Sequence, residues 1–157
     1  MKKLSLLVLV ITATASSYAI PANIGTTVKK VATDEIVTSL KVYNNVEVVL
    51  TNNDAHEISI VGEKADVDKT TVKIINGELT ITSSTGDYLK EKVMVYVPAK
   101  ALANVSIHGA STVSSTEVLA NELIDVTING EGRSEIKTAG SVSVNTIGDF
   151  PMEACPE

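Results

Sequence analysis

Residue types able to do chemistry are few in this 157-residue chain, and they lie far apart. The two histidines, His56 and His108, and the single cysteine, Cys155, do not have the spacing of a zinc site. A serine nucleophile would need a histidine and an aspartate beside it, and the sequence has no Gly-x-Ser-x-Gly elbow. The acidic stretch Asp66-Val67-Asp68 lacks the ligand spacing of an EF-hand. The sequence therefore predicts a protein that is not an enzyme, with no metal site and no cofactor.

The remaining candidates are short polar side chains suited to hydrogen bonding along a flat partner. They alternate with apolar residues in two strand patterns, which predicts that they point outward. This outward set comprises Ser106, His108, Ser111 and Thr112 on the first strand and its turn, and Thr127, Asn129, Glu131 and Arg133 on the next. The ligand-binding candidates within it are Asn129, Glu131, Arg133 and His108. The alternative is that these side chains form only the solvated side of a sheet.

The composition narrows the class of protein. Hydrophobic residues make up 44% of the chain and charged residues 20%, which excludes an intrinsically disordered protein. Val, Ile and Thr supply about a third of the residues, and β-branched side chains suit strands better than helices. The formal net charge of −6 becomes −8 when Lys2 and Lys3 are removed with a leader. We expect no binding of nucleic acid, because phosphate binding needs a basic face.

The first nineteen residues have the pattern of a secretory signal peptide. Two lysines precede the apolar run 4–11, and Ser17-Tyr18-Ala19 supplies the small residues of a cleavage site, so cleavage is expected before Ile20. A membrane-spanning helix is the alternative, and it is disfavoured because a span needs roughly 20 apolar residues. The mature chain is thus expected to be exported to the periplasm, the cell surface or the medium, without a membrane span after cleavage.

Period-two alternation of apolar and polar residues dominates from residue 35 onward and predicts strands. Asn76-Gly77 is the strongest turn signal, since a type I′ turn needs positive φ at both central positions, so residues 72–82 are predicted to form a β-hairpin. Helical turns are expected only at residues 64–69 and, more weakly, at 99–103. The expected organisation is a signal peptide at 1–19, an irregular leader at 20–34, one all-β domain at 35–150 and a tail at 151–157. Cys155 in that tail has no partner cysteine, which leaves an intermolecular disulfide or no role.

The second half of the chain contains a repeat that ends in glycine. Val105-Ser106-Ile107-His108-Gly109 matches Val126-Thr127-Ile128-Asn129-Gly130 at an offset of 21 residues, and a weaker copy starts at Val144. A period near 20 residues is typical of stacked coils, so we expect an all-β fold with a short solenoid of stacked strands and hairpins in its N-terminal half. A β-sandwich or meander is the alternative. The solenoid predicts burial in one stack for Val105, Ile107, Val126, Ile128 and Val144.

Five segments, in their order along the chain, resemble the "putative adhesin" family with the head GIN domain, which is common in exported proteins of Bacteroidetes. They are residues 46–50, 57–62, 76–81, 93–98 and 105–111, and the repeated Ile-x-Gly segment follows at 128–130. The resemblance covers roughly residues 36–150. It implies a right-handed β-helix-like fold in an exported or surface-associated protein without enzyme activity. Family members usually continue with further coils, so a short stack is expected here.

These observations lead to a ranked set of functional expectations. The leading one is an exported, non-catalytic binding module of the adhesin type, whose partner is a protein or glycan at the cell surface. Tyr43, Tyr88 and Tyr96 are the aromatic candidates for contact with a sugar. The second is a structural envelope domain that assembles with itself as a homo-oligomer. An extracellular hydrolase is the least supported.

Overall fold

The computed structural model describes residues 26–53, 56–84 and 92–148. The predicted signal peptide, Tyr88 and Cys155 lie outside this part of the chain. The described residues form an all-β protein with a single helical turn, as the alternation predicted. The elements are β1 Thr26–Ala32, β2 Ser39–Tyr43, β3 Val46–Thr51, β4 Glu57–Glu63, α1 Lys64–Lys69, β5 Thr70–Ile75, β6 Glu78–Ser83, β7 Val93–Pro98, β8 Asn104–His108, β9 Thr112–Ser115, β10 Leu123–Asn129, β11 Arg133–Glu135 and β12 Ser141–Ile147.

The strands make two mixed sheets of six strands each. Sheet A has the order β1-β4-β7-β3-β9-β11, and sheet B has the order β12-β10-β8-β2-β6-β5. The pairs are parallel except for β1 with β4, β4 with β7 and β5 with β6. From β6 to β12, successive strands alternate between sheet B and sheet A.

One hydrophobic core contains inward side chains of both sheets, among them Leu40 and Ile107 from sheet B and Val48 and Val95 from sheet A. Because alternate residues of a strand face opposite sides, the residues between them point to solvent. The strand β8 shows this directly: Val105 and Ile107 are buried, while Ser106 and His108 are partly exposed. Burying such side chains contributes about 1.5–3 kcal/mol each, which makes this core the main source of stability.

The 21-residue repeat maps onto neighbouring parallel strands. Val126 of β10 is the Cα partner of Val105, and Ile128 is the partner of Ile107. All four side chains are buried, as predicted. The prediction is wrong for Val144 of β12, whose side chain is 57% exposed although it pairs with Val126. β12 is the outermost strand of sheet B, and no described strand of sheet A lies beyond β11 to cover it.

The predicted hairpin forms as β5 and β6, which pair antiparallel around Asn76 and Gly77. Both turn residues have positive φ, 52° and 78°, as a type I′ turn requires. The predicted helical turn at residues 64–69 is α1, and it places Val67 in the core. Residues 99–103 do not form a helix; they make a turn closed by the Leu102 amide, which donates to the Ala99 carbonyl at 3.1 Å.

The segment expected to be an irregular leader contains a strand. Residues 26–32 form β1, which pairs antiparallel with β4 along its whole length at the edge of sheet A. Most of its side chains are exposed, so the strand is held by backbone hydrogen bonds and shows little apolar alternation in sequence. Among the described residues, no helix has the length and apolar character needed to cross a bilayer.

Candidate binding surface

The outward side chains of sheet B form three regular rows, because five of its strands run parallel and in register. We call this surface the polar face. Its rows are Thr82–Tyr43–His108–Asn129–Ile147, Thr80–Lys41–Ser106–Thr127–Asn145 and Glu78–Ser39–Asn104–Asp125–Ser143. Strands in a sheet are spaced about 4.8 Å apart, so side chains in each row recur at that interval. Such a surface suits a partner that carries hydrogen-bonding groups at regular intervals.

His108, one of the candidate residues, stacks on Tyr43 of the neighbouring strand. The two ring centroids are 4.6 Å apart and the ring planes differ by 7°. This separation is close to the spacing of neighbouring strands, so the two parallel rings lie face to face. The ring edges, with the tyrosine hydroxyl and the imidazole nitrogens, are what this row offers to a ligand.

Asn129 lies beside His108 as its Cα partner on β10, and both side chains belong to the first row. The strands β2, β8 and β10 are each followed by a residue with left-handed backbone: Asn44 at φ 71°, Gly109 at φ 80° and Gly130 at φ 106°. The three corners stack, since a β-carbon on Gly109 would meet the Asn44 backbone and one on Gly130 would meet the Gly109 backbone. Glycine fits because L-residues with side chains rarely adopt this conformation.

Glu131 and Arg133 lie past this corner and line a recess of about 590 Å³. The recess also contains Ile128 and Thr146 on the inward side of sheet B, and Gly130 and Gly132. Arg133 begins β11, so its register places it on the outer face of sheet A next to Thr112. The structure therefore brings the four candidates to one corner of the molecule but divides them between two surfaces.

Ser111 was expected to face outward, and this prediction is wrong. Its side chain is buried, and its hydroxyl donates to the Asn44 carbonyl at 2.6 Å and accepts from the Val46 amide at 3.3 Å. The chain turns from sheet B to sheet A between β8 and β9, and a turn resets the alternation of inward and outward positions. Ser111 thus ties two neighbouring corners together and is unavailable to a ligand.

Charge on the polar face is limited and paired in part. Lys41 Nζ of β2 lies 2.9 Å from a carboxylate oxygen of Glu78 on the neighbouring strand β6. The hydrogen bond to Glu78, together with its negative charge, raises the pKa of Lys41 above its ordinary value, so the ammonium stays charged at neutral pH. Asp125 adds an exposed carboxylate in the third row.

A second recess, of about 490 Å³, lies near His56. Its wall is largely apolar, with Ile36, Val37, Pro98 and Ala101, and Glu35, His56 and Lys100 also line it. Ile36 is 66% exposed, which is unusual for so large an apolar side chain. Glu35 is turned toward the β5–β6 hairpin, where its carboxylate accepts from the Gly77 amide at 2.9 Å.

Groups able to ligate a metal ion are dispersed over the described part of the chain. Within residues 26–53, 56–84 and 92–148, no three His, Cys, Asp or Glu side chains lie close enough to hold a metal ion. His108 has Tyr43 and Asn129 as its ladder neighbours, and the nearby Ser111 is turned into the core.

The role of Asn121 and the stacking of Tyr43 on His108 were not predicted from the sequence. Asn121 is buried and its amide donates to the carbonyls of Ala99, Lys100 and Leu102, which fixes the β7–β8 turn. Nothing in the sequence marks this asparagine. Tyr43 had a usable signal: Val42-Tyr43-Asn44 matches Ile107-His108-Gly109 once asparagine is accepted as a second residue type with left-handed backbone.

Comparison with known proteins places these features in a family. Residues 37–152 match the family described as "Putative auto-transporter adhesin, head GIN domain". No curated protein matches the chain.

Three of the solved structures with a similar fold come from two Parabacteroides species. A "putative adhesin" from Parabacteroides merdae is 14% identical with a TM-score of 0.60, covering 79% of this chain and 53% of its own. One from Parabacteroides distasonis is 14% identical with a TM-score of 0.59, covering 77% and 56%. A "putative lipid binding protein" from the same species is 9% identical with a TM-score of 0.51, covering 79% and 61%. This chain thus matches a little over half the length of these proteins, and the likeness is one of fold.

Proposed function

Because this chain belongs to the head GIN domain family of adhesin-like proteins, we propose that it is an exported, non-catalytic module that binds a partner at the cell surface. The polar face of sheet B, together with the Glu131–Arg133 corner, is the proposed binding surface. The partner is a protein or a glycan with hydrogen-bonding groups spaced to match the rows.

The observation that carries this proposal is the regular polar face itself. The register that aligns the buried side chains of sheet B also aligns its outward ones, so three rows of mostly polar side chains extend over five strands. Single hydrogen bonds contribute about 0.5–1.5 kcal/mol, so several rows acting together are needed for useful affinity. A flat, repetitive surface provides that number.

The proposed scaffold is a short right-handed solenoid. In this interpretation the pairs β2–β3, β6–β7, β8–β9 and β10–β11 are coils, each with one strand in sheet B and the next in sheet A. The parallel pairing of β2 with β6 and β8, and of β3 with β7 and β9, supports it. The stacked corners at Asn44, Gly109 and Gly130 support it as well. Each added coil would extend the same rows.

Export is proposed from the leader at residues 1–19 and from the family's association with adhesins. The partner is proposed to contact ring edges, because the faces of Tyr43 and His108 are turned toward each other. The second face of each ring is turned toward the next position of the row, Thr82 beside Tyr43 and Asn129 beside His108. Hydrogen bonds from hydroxyl, imidazole and amide groups are therefore the expected form of recognition.

The direct test replaces the exposed side chains at the Glu131–Arg133 corner with alanine. Beads coated with the protein, or with its Asn129→Ala/Glu131→Ala/Arg133→Ala variant, are compared for binding to bacterial cells and to arrays of glycans and envelope proteins. We expect at least a tenfold loss of binding with an unchanged melting temperature, since all three side chains are exposed.

The matched control is Glu63→Ala/Lys64→Ala, which also removes one acid and one base but lies toward the far end of the stack. It should bind like the unmodified protein. Unchanged adhesion of the corner variant at unchanged stability would remove the corner from the binding surface. Measurable turnover of a glycan or peptide substrate would overturn the non-catalytic class.

The recess beside Ile36 supports a second candidate function, retention of a small apolar ligand such as an acyl chain. Its apolar wall and volume of about 490 Å³ suit such a ligand, and one protein of similar fold bears the name "putative lipid binding protein". A fluorescent fatty-acid analogue should bind the protein but not an Ile36→Glu variant. Val28→Glu, at another exposed apolar residue, is the control and should bind normally.

A further inference from the structure

The edge of sheet B formed by β12 differs from the three other sheet edges, which are formed by β1, β5 and β11. β1 carries Lys29 and Lys30, β5 carries Lys73, and β11 is only three residues long with a charge at each end. Charges and short length are the usual means of preventing one sheet edge from pairing with another. β12 has the sequence SVSVNTI, so it presents seven residues without a charge or a proline.

Apolar side chains are exposed around the same edge. Val144 is 57% exposed, Ile147 is 54% exposed, and Leu123 on the neighbouring β10 is 51% exposed. Val144 and Thr146 continue the inward rows of Val126 and Ile128, but β11 is the last described strand of sheet A on this side, and no described strand covers them. Within residues 26–53, 56–84 and 92–148, this edge therefore offers both unpaired backbone groups and apolar surface.

We propose that β12 is a self-association strand, which pairs antiparallel with β12 of a second copy of this chain. The two-fold axis would run perpendicular to sheet B, because only that axis joins two edges while keeping both inward faces on the same side. The result is one continuous sheet across two molecules. The proposal goes beyond the binding surface: it concerns the backbone edge of β12, whose outward side chains also end the three rows of the polar face.

The length of β12 sets the register. Full pairing of Ser141–Ile147 with itself places Val144 opposite Val144 of the second copy. Val142 then faces Thr146, and the exposed Ile147 faces Ser141. Any shift by one residue would turn apolar side chains toward solvent, as register slips in a sheet do.

Charge also permits this arrangement, although the chain carries a net charge of −6. Asp125, the charged residue of β10, lies level with Ser143. In the proposed pair, Asp125 and its copy would be separated by three strand spacings across the sheet and by two residues along the strands. The distance between them is then about 16 Å. That exceeds the Debye length of roughly 8–10 Å at ordinary ionic strength, so the repulsion is screened.

A second copy fits this edge better than the residues that follow Gly148. Those nine residues include Pro151 and Pro156, which have no N–H to donate, and three carboxylates. A second β12 supplies seven uncharged residues of matching length. Other partner strands remain as outcomes of the tests below.

Cysteine cross-linking tests the register. In a Cys155→Ser background, Val144→Cys should give a disulfide-linked dimer under mild oxidation, because directly opposite Cα atoms lie about 4.5–5.5 Å apart. Asn145→Cys is the matched control on the same strand. Its Cα would lie about 8 Å from its copy, beyond disulfide range, so little dimer should form. Equal cross-linking of both variants would overturn the proposed pairing.

Mass in solution tests the association itself. Sedimentation over a concentration series should show the protein doubling in mass, and Val144→Lys should raise the midpoint of that transition at least tenfold. Val28→Lys, on the edge strand β1 of sheet A, should leave the midpoint unchanged. A monomer at every concentration would refute the proposal, and so would an unaltered midpoint for Val144→Lys. Cell binding that persists in a monomeric variant would leave the proposed function intact.

Discussion

Gly140 shows how closely single residues are fitted in this protein. A β-carbon at this position would overlap the backbone carbonyl of Glu122, which already accepts a hydrogen bond from the Ser141 amide. Gly140→Ala must therefore displace backbone just before β12, and we expect a loss of about 1–3 kcal/mol in the free energy of unfolding. Gly62→Ala is the control, because its β-carbon would meet Val93 at an ordinary 3.5 Å. Urea denaturation measures both; equal losses would contradict the account.

Two paired valines separate burial from strand pairing at the same scale. Val126 is buried and Val144 is exposed, although they are Cα partners on neighbouring strands. Val126→Ala should lower the free energy of unfolding by about 1–3 kcal/mol through lost burial and a cavity. Val144→Ala should change it by less than about 0.5 kcal/mol at low protein concentration. Similar losses in thermal unfolding would mean that Val144 is covered in solution.

At the scale of elements, the β5–β6 hairpin depends on its turn. Gly77 has φ 78°, and a β-carbon there would come within 3.0 Å of the Thr38 hydroxyl and 3.1 Å of the Ile36 carbonyl. Gly77→Ala should therefore cost at least about 1–2 kcal/mol, the penalty for a left-handed residue with a side chain. Lys73→Ala on the same hairpin should cost little. A melting temperature unchanged by Gly77→Ala would show that the turn has another conformation.

The elements also show what a sequence can predict here. Alternation located most strands, and the 21-residue repeat paired β8 with β10 correctly, because both are properties of short segments. The prediction that Val144 is buried was wrong, since burial there depends on how many strands the opposite sheet contains. Pairing of β3 with β7 and β9 could not be predicted, as residues distant in sequence select it.

The candidate site divides in the same way. His108 and Asn129 are ladder neighbours, as the repeat implied. The stacking of Tyr43 on His108 was not predicted, because the residue after Tyr43 is Asn44 and not the glycine that follows the other two strands. Ser111 was misplaced since a corner interrupts the alternation that predicts strand faces.

At the scale of the whole molecule, the two sheets have different outer surfaces. The polar face of sheet B is mainly Ser, Thr, Asn and charged side chains, whereas sheet A carries Val61, Met94 and Tyr96 on its outward side. Adhesion should therefore depend on the polar face and the Glu131–Arg133 corner, and not on Val61, Met94 or Tyr96. This difference supplies a control surface within one protein.

Affinity for the cell surface, measured with matched variants of the two faces, tests the central claim most directly. Tyr43→Ser/His108→Ser removes the stacked pair from the polar face, and Tyr96→Ser removes an aromatic ring from the other sheet. Dissociation constants for cells or envelope fractions should rise at least tenfold for the double variant and less than twofold for Tyr96→Ser, with both proteins folded. Unchanged affinity of the double variant, or a larger loss for Tyr96→Ser, would contradict binding through the polar face.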